Sequence, residues 1–251
     1  TDDEQPYDGG VDTGIQLYPM DVPERKMAAY LDAPIYHADW GKVSGSSGYQ
    51  VELCRAFAPG AIRFRVWGFQ SIEADIMEDL RHCRLDRAKP IQSAGGAAVR
   101  YQMALEALSV LSAQKVEAIG KALTSLLGIT QPHPAKLLLT TTECTAPQTW
   151  HADSRAVGEI SIIMSVGGTR AVDFLQADGH PHRIVLSSDR ETAESNGLAF
   201  AGAICHRGAE SPSGQAIVTT ADGKAITSVG LHMYAGPCAR PGTYTYQYTS
   251  A

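Results

Sequence analysis

"TWHADSR", residues 149–155, places a histidine and an aspartate two positions apart at the end of a predicted strand. In an extended segment residues i and i+2 point to one side, so His151 and Asp153 present their donors on a common face. Such a pair is either a polar strand end, with Asp153 forming an Asx-turn near Ser154, or two ligands of a metal ion. The same three letters recur at 37–39, where His37 and Asp39 have no comparable run of strands behind them and read as a loop. What surrounds 149–155 decides between the readings, because a third ligand has to come from a distant strand.

Downstream of "GITQPHP" the chain turns to short β-rich runs punctuated by glycine. The predicted strands are "KLLLTTT" (136–142), "EISIIMSV" (159–166), "RAVDFLQ" (170–176), "HRIVLSS" (182–188), "GLAFAGAICHR" (197–207), "QAIVTTA" (215–221) and "KAITSVGLHMYAG" (224–236). Many short strands at such intervals predict a sandwich or a jelly roll. Upstream, "YQVELCRAF" (49–57) and "AIRFRVWGF" (61–69) alternate around Pro59-Gly60 and predict a hairpin. From a Ser71 cap the period becomes helical, through Ile72, Ile76, Leu80 and Cys83, and again through Leu108, Leu111, Val116, Ile119, Leu123 and Leu126. These helices are expected to brace the sheet and, with a loop over 89–97, to flank the barrel mouth. The expectation is one α+β domain: an acidic arm over 1–25, a strand-and-helix front over 26–135 and a jelly-roll core over 136–236.

His206 is the third-ligand candidate. It ends the apolar strand "GLAFAGAICH" and precedes the turn "RGAESPSG", a position from which a ligand faces a barrel mouth. Two histidines and a carboxylate on one face leave the opposite side of a ferrous ion open. His180 and His182, in "DGHPHR", read as a solvated turn, and His232 either lines a pocket or is a satisfied core histidine. Cys205 reads as a buried neighbour of the ligand rather than a nucleophile.

Composition narrows the classes. A chain of 251 residues with 44% hydrophobic content can bury a large core, and its net charge of −6 does not favour a nucleic-acid surface. Five cysteines, widely spaced and without C-x-x-C, indicate neither a disulfide framework nor a zinc finger. No apolar run spans a bilayer, and "TDDEQPYDGG" has no signal-peptide character, so a cytoplasmic or nuclear location without membrane contact is expected.

"QTWHAD", "HRIVLSS", "GLAFAGAICHRGAESPSG" and "GKAITSVGLHMYAG" together resemble the H-x-D…H core of the Fe(II)- and 2-oxoglutarate-dependent dioxygenases, in their prolyl-hydroxylase-like branch. The resemblance covers about residues 136–236. It implies a double-stranded β-helix with His151, Asp153 and His206 as iron ligands. It also implies Lys224, on the last strand, for the far carboxylate of 2-oxoglutarate, with Ser228 on the same face. Lys224 lies 18 positions after His206, farther than the branch usually shows, so Arg207 and Arg170 are rivals, and Arg155 is a further contact. Alternation turns Arg207 away from its neighbour His206.

The implied chemistry is hydroxylation or a related oxidation by dioxygen, with 2-oxoglutarate decarboxylated to succinate and CO2 and ascorbate as reductant. Asp153 argues against halogenation, whose enzymes in this superfamily typically lack the carboxylate. The substrate is open between a protein side chain, a modified nucleobase and a small metabolite. The alternatives are a cupin-like metalloenzyme that does not use 2-oxoglutarate and a non-catalytic β-barrel binding module.

Overall fold

The computed structural model describes residues 43–44, 50–58, 61–67, 70–92, 98–126, 135–153 and 160–235, apart from 177, 190, 203 and 213. The arm over 1–25, His37, Asp39 and Arg155 lie outside the described residues. Strands β1 (Val43–Ser44), β2 (Gln50–Ala58), β3 (Ala61–Trp67), β4 (Lys89–Gln92), β5 (Ala98–Ala104) and β6 (Lys136–Thr141) come first. They are followed by β7 (Ile160–Leu175), β8 (Pro181–Ser187), β9 (Gly197–Ala201), β10 (His206–Gly208), β11 (Val218–Thr219) and β12 (Ala225–Ala235). Two α-helices are described, α1 (Gln70–His82) and α2 (Val110–Leu126). The architecture is thus mostly antiparallel sheet, in the order β1-β2-β3-β9-β7-β12-β6-β5-β4, with β8 and β10 beside β7 and β11 beside β12.

β7 organises the molecule. Its β-branched run buries every residue from Ile160 to Val166, as a strand covered on both faces must. Two runs separated by glycines were expected here, yet one 16-residue strand results. At the bend Gly168 has φ of 67°, and a Cβ there would lie 2.3 Å from the Thr227 carbonyl oxygen. Before the bend β7 pairs with β9 and β12; after it, with β8 and β10. One strand therefore serves two sheets, and Phe174 of β7 meets Phe200 of β9 edge to face at 5.1 Å to join them.

The helices brace the sheet as expected. Ile72, Ile76 and Leu80 of α1 and Val116, Ile119 and Leu123 of α2 are buried at helical spacing. α1 begins at Gln70, one residue before the expected Ser71 cap, and Cys83 falls just beyond its end. Ser109 caps α2: its hydroxyl accepts from Ser112 N and donates to Asp79 of α1 at 2.9 Å. Their position differs from expectation. Gly120 of α2 packs on Met233, and alternation puts Met233 on the face of β12 opposite His232, so α2 does not line the face that carries the site. The segment expected as a loop from Lys89 instead starts with edge strand β4, paired to β5. The predicted strand over 197–207 divides into β9 and β10 around a turn in which Ile204 N donates to Ala201 O, and of 215–221 only Val218–Thr219 is strand.

Asn196 fastens the N-terminal hairpin to this core. Its side chain donates to Val66 O and accepts from Val66 N, both at 2.9 Å and buried. Asn196→Ala strands a buried N–H and C=O together, so it is expected to lower stability by about 2–4 kcal/mol, read as a shifted denaturant midpoint with an unchanged slope. Among the described residues no helix is long and apolar enough to cross a membrane.

Candidate metal centre

His151 and His206 are brought together by backbone. They form an isolated antiparallel bridge in which His151 N donates to His206 O at 3.0 Å and His206 N to His151 O at 2.9 Å. Each imidazole is oriented by the carbonyl two residues before it: His151 Nδ1 to Thr149 O and His206 Nδ1 to Ile204 O, both 2.9 Å. A carbonyl only accepts, so Nδ1 carries the proton and each Nε2 lone pair is left for a metal.

Asp153 closes the set. Its backbone N–H is held by Gly202 O, and its Oδ2 and Oδ1 lie 3.4 Å from His206 Nε2 and 3.9 Å from His151 Nε2. The three donor groups lie within 4.8 Å of one another. Ser161 donates to Asp153 Oδ2 at 2.5 Å and Tyr234 to Oδ1 at 3.4 Å, which fixes the carboxylate in a side chain only 1% exposed. Two imidazoles and one carboxylate with a shared open side suit a divalent transition metal such as iron.

The charges fit the same purpose. Burial, reinforced by the neighbouring His206, pulls His151 down to about 4, so it is neutral at physiological pH. Burial also opposes charge on His206 and on Asp153, but their mutual attraction prevails, raising His206 and holding Asp153 well below the ordinary carboxylate value. A metal that binds below this raised value must therefore displace a proton from His206. Below its raised value, Mn(II) affinity is expected to fall about tenfold per pH unit, with one proton released, and to level off above it. Titration calorimetry in buffers of different ionisation enthalpy counts that proton; release of none in the range where affinity still falls with pH would contradict the charge assignment.

A cavity of about 240 Å³ opens onto the three groups, lined also by Lys89, Ile91, Gln148, Arg170, Gly208 and His232. This is close to the size range of small-ligand sites. Arg170, on β7 just past the bend, is the feature that identifies its far end. Its Nε and Nη1 are buried and have no hydrogen-bond partner among the described residues. Burial, with the nearby Arg100, pushes it down to about 10. Arg100 differs, since it donates to the carbonyls of Ala146, Gly208 and Ala209. Gly230 makes the space: a Cβ there would sit 1.4 Å from Arg170 Nη1.

Among the described residues the other cosubstrate candidates lie elsewhere. Lys224 sits in the turn before β12, eight residues from His232, a separation of roughly 26 Å along a strand, and does not line the cavity. Ser228 is buried but also outside the lining. Arg207 turns away from His206, donating to Asp173 at 3.2 Å and stacking 4.2 Å over Trp150. Burial raises Cys205 to about 11, so it is no ready nucleophile. Ser161 and Gly230 carry no signal in the sequence, whereas the inward face of His232 follows from the register of β12.

Searches of family models and of curated proteins found no match. Among solved structures the chain is similar to AviO1 from Streptomyces viridochromogenes Tue57, at 13% identity and a TM-score of 0.51, covering 72% of this chain and 92% of that one. It is also similar to the epimerase SnoN, solved with Fe3+, alpha ketoglutarate and nogalamycin RO, at 12% identity and a TM-score of 0.46, over 70% and 79% of the two chains. A Pseudomonas putida prolyl-4-hydroxylase matches at 12% identity and a TM-score of 0.43, over 85% and 100%. At this identity the likeness to AviO1 is one of fold.

Proposed function

We propose that this chain is an Fe(II)- and 2-oxoglutarate-dependent oxygenase with a double-stranded β-helix core, in which His151, Asp153 and His206 hold the metal. The observation that carries the reading is Arg170, a buried cation with unpartnered guanidinium nitrogens in the cavity that also holds the metal-ligating set. A buried charge is costly unless a counter-ion arrives, and a planar fork of donors matches a carboxylate. Arg170 therefore takes the place expected for Lys224 and grips the far carboxylate of 2-oxoglutarate. The bound iron would supply redox chemistry with dioxygen. The protein's part is to fix the cosubstrate between Arg170 and the metal ligands, to hold the Asp153 carboxylate in place through Ser161 and Tyr234, and to exclude water. The oxidised substrate enters past Lys89 and Ile91 of edge strand β4. No observation on the described residues supports ascorbate as reductant.

Titration of 2-oxoglutarate into metal-free and into anaerobic Mn(II)- or Fe(II)-loaded protein tests this. Binding that requires the metal supports it and justifies a substrate screen by succinate release. Absence of binding in every state sinks the 2-oxoglutarate reading. A cupin-like enzyme without that cosubstrate is then favoured, by a third histidine, His232, 3.6 Å from Asp153.

A further inference from the structure

His232 is a buried polar side chain beside Asp153 that makes no hydrogen bond among the described residues. It is 5% exposed, it lines the cavity, and neither ring nitrogen has a hydrogen-bond partner among the described residues. Buried donors and acceptors are seldom left unpaired, so a partner from the cavity is called for. Its Nε2 stands 3.6 Å from Asp153 Oδ2, beyond hydrogen-bond reach but against the metal-ligating set.

It is nevertheless not built as a ligand. His151 and His206 each have Nδ1 tied to a carbonyl, which commits Nε2 to the metal; His232 has no such tie. It also lies outside the group of donors that approach one another within 4.8 Å. Its place on β12 suggests what it meets instead. The inner face of that strand runs from Gly230, against the Arg170 guanidinium, through His232 to Tyr234, which touches Asp153. A ligand reaching from Arg170 to the metal ligands passes His232.

We propose that His232 donates a hydrogen bond from Nε2 to a carboxylate oxygen of the ligand at the open side of the metal set. On the reading above this is the 1-carboxylate of the 2-oxoacid. Arg170 and His232 then recognise opposite ends of one dicarboxylate, and the second end needs no long chain.

The test uses Mn(II)-loaded protein and two ligands, 2-oxoglutarate and oxalate, the latter a metal-chelating dianion too short to reach Arg170. Calorimetric titration is expected to show His232→Ala weakening both roughly ten- to a hundredfold, the loss of one charge-assisted hydrogen bond. Mn(II) affinity, read from the electron paramagnetic resonance signal of the free ion, should stay within about twofold. His232→Gln, which keeps a donor near the Nε2 position, should recover most of the loss, and Arg170→Met should weaken 2-oxoglutarate only. Unchanged oxalate affinity in His232→Ala overturns the inference, as does failure of the wild type to bind oxalate. A matching fall in Mn(II) affinity also overturns it, by making His232 a fourth ligand. If oxalate binding depends on His232 while 2-oxoglutarate never binds, the role of His232 stands and the cosubstrate reading fails.

Discussion

The His206→Ala protein loses Mn(II) binding by at least about a hundredfold. Substituting residues that merely orient ligands already costs ten- to a hundredfold in metal affinity, and here a ligand itself is removed. The free-ion resonance signal at matched protein and Mn(II) concentrations measures it, and 2-oxoglutarate binding should vanish with it. The metal-free fold should weaken as well. Asp153, 1% exposed, owes its ionised state to His206 first and then His232, so the substitution leaves a buried carboxylate with less compensation and a void beside Phe200, whose ring lies 4.6 Å from that of His206. About 3–5 kcal/mol is expected from breaking such a pair. A variant that still binds Mn(II) within about threefold of wild type would remove His206 from the ligand set.

Arg170→Met should produce two effects of opposite sign. Binding of 2-oxoglutarate falls by about a hundredfold or more, because two charge-assisted hydrogen bonds are lost, while Mn(II) affinity is kept. The ligand-free protein, in contrast, melts higher by a few degrees, since a buried cation with unpartnered nitrogens gives way to an apolar side chain of similar length. Gly230→Ala is an independent route to the same binding defect, its methyl group claiming the place of Nη1. Calorimetry for the ligands and thermal melts for the apo proteins separate the two effects. Retained 2-oxoglutarate affinity in Arg170→Met would mean that another cation holds the carboxylate.

That His151, Asp153 and His206 come together was legible in the sequence: the i, i+2 spacing puts the first two on a common side, although His151 forms only an isolated bridge rather than a strand, and His206 follows a run of buried apolar residues. The cation in the cavity was harder to see. Lys224 was ranked first from the resemblance, despite its long spacing from His206, whereas Arg170 reaches the cavity through a bend at Gly168 and an absent side chain at Gly230, contacts between strands about sixty residues apart in sequence. β5 was missed because Pro90, Gly95 and Gly96 precede it and read as breakers, although Val99, Tyr101 and Met103 alternate as a strand should. The bracing helices were recognised, but which side of the sheet they cover is decided by whole-molecule packing such as Gly120 on Met233.

The continuity of β7 through its bend makes the two sheets a single cooperative unit. Opening the β8–β10 side pulls on the same backbone that carries the ladders to β9 and β12, so fraying of one sheet is coupled to the other. His206 sits on one of those sheets and Tyr234 on the other, and Arg170 lies on the shared strand. The cavity lined by His206, Arg170 and His232 therefore takes its walls from both sheets at once.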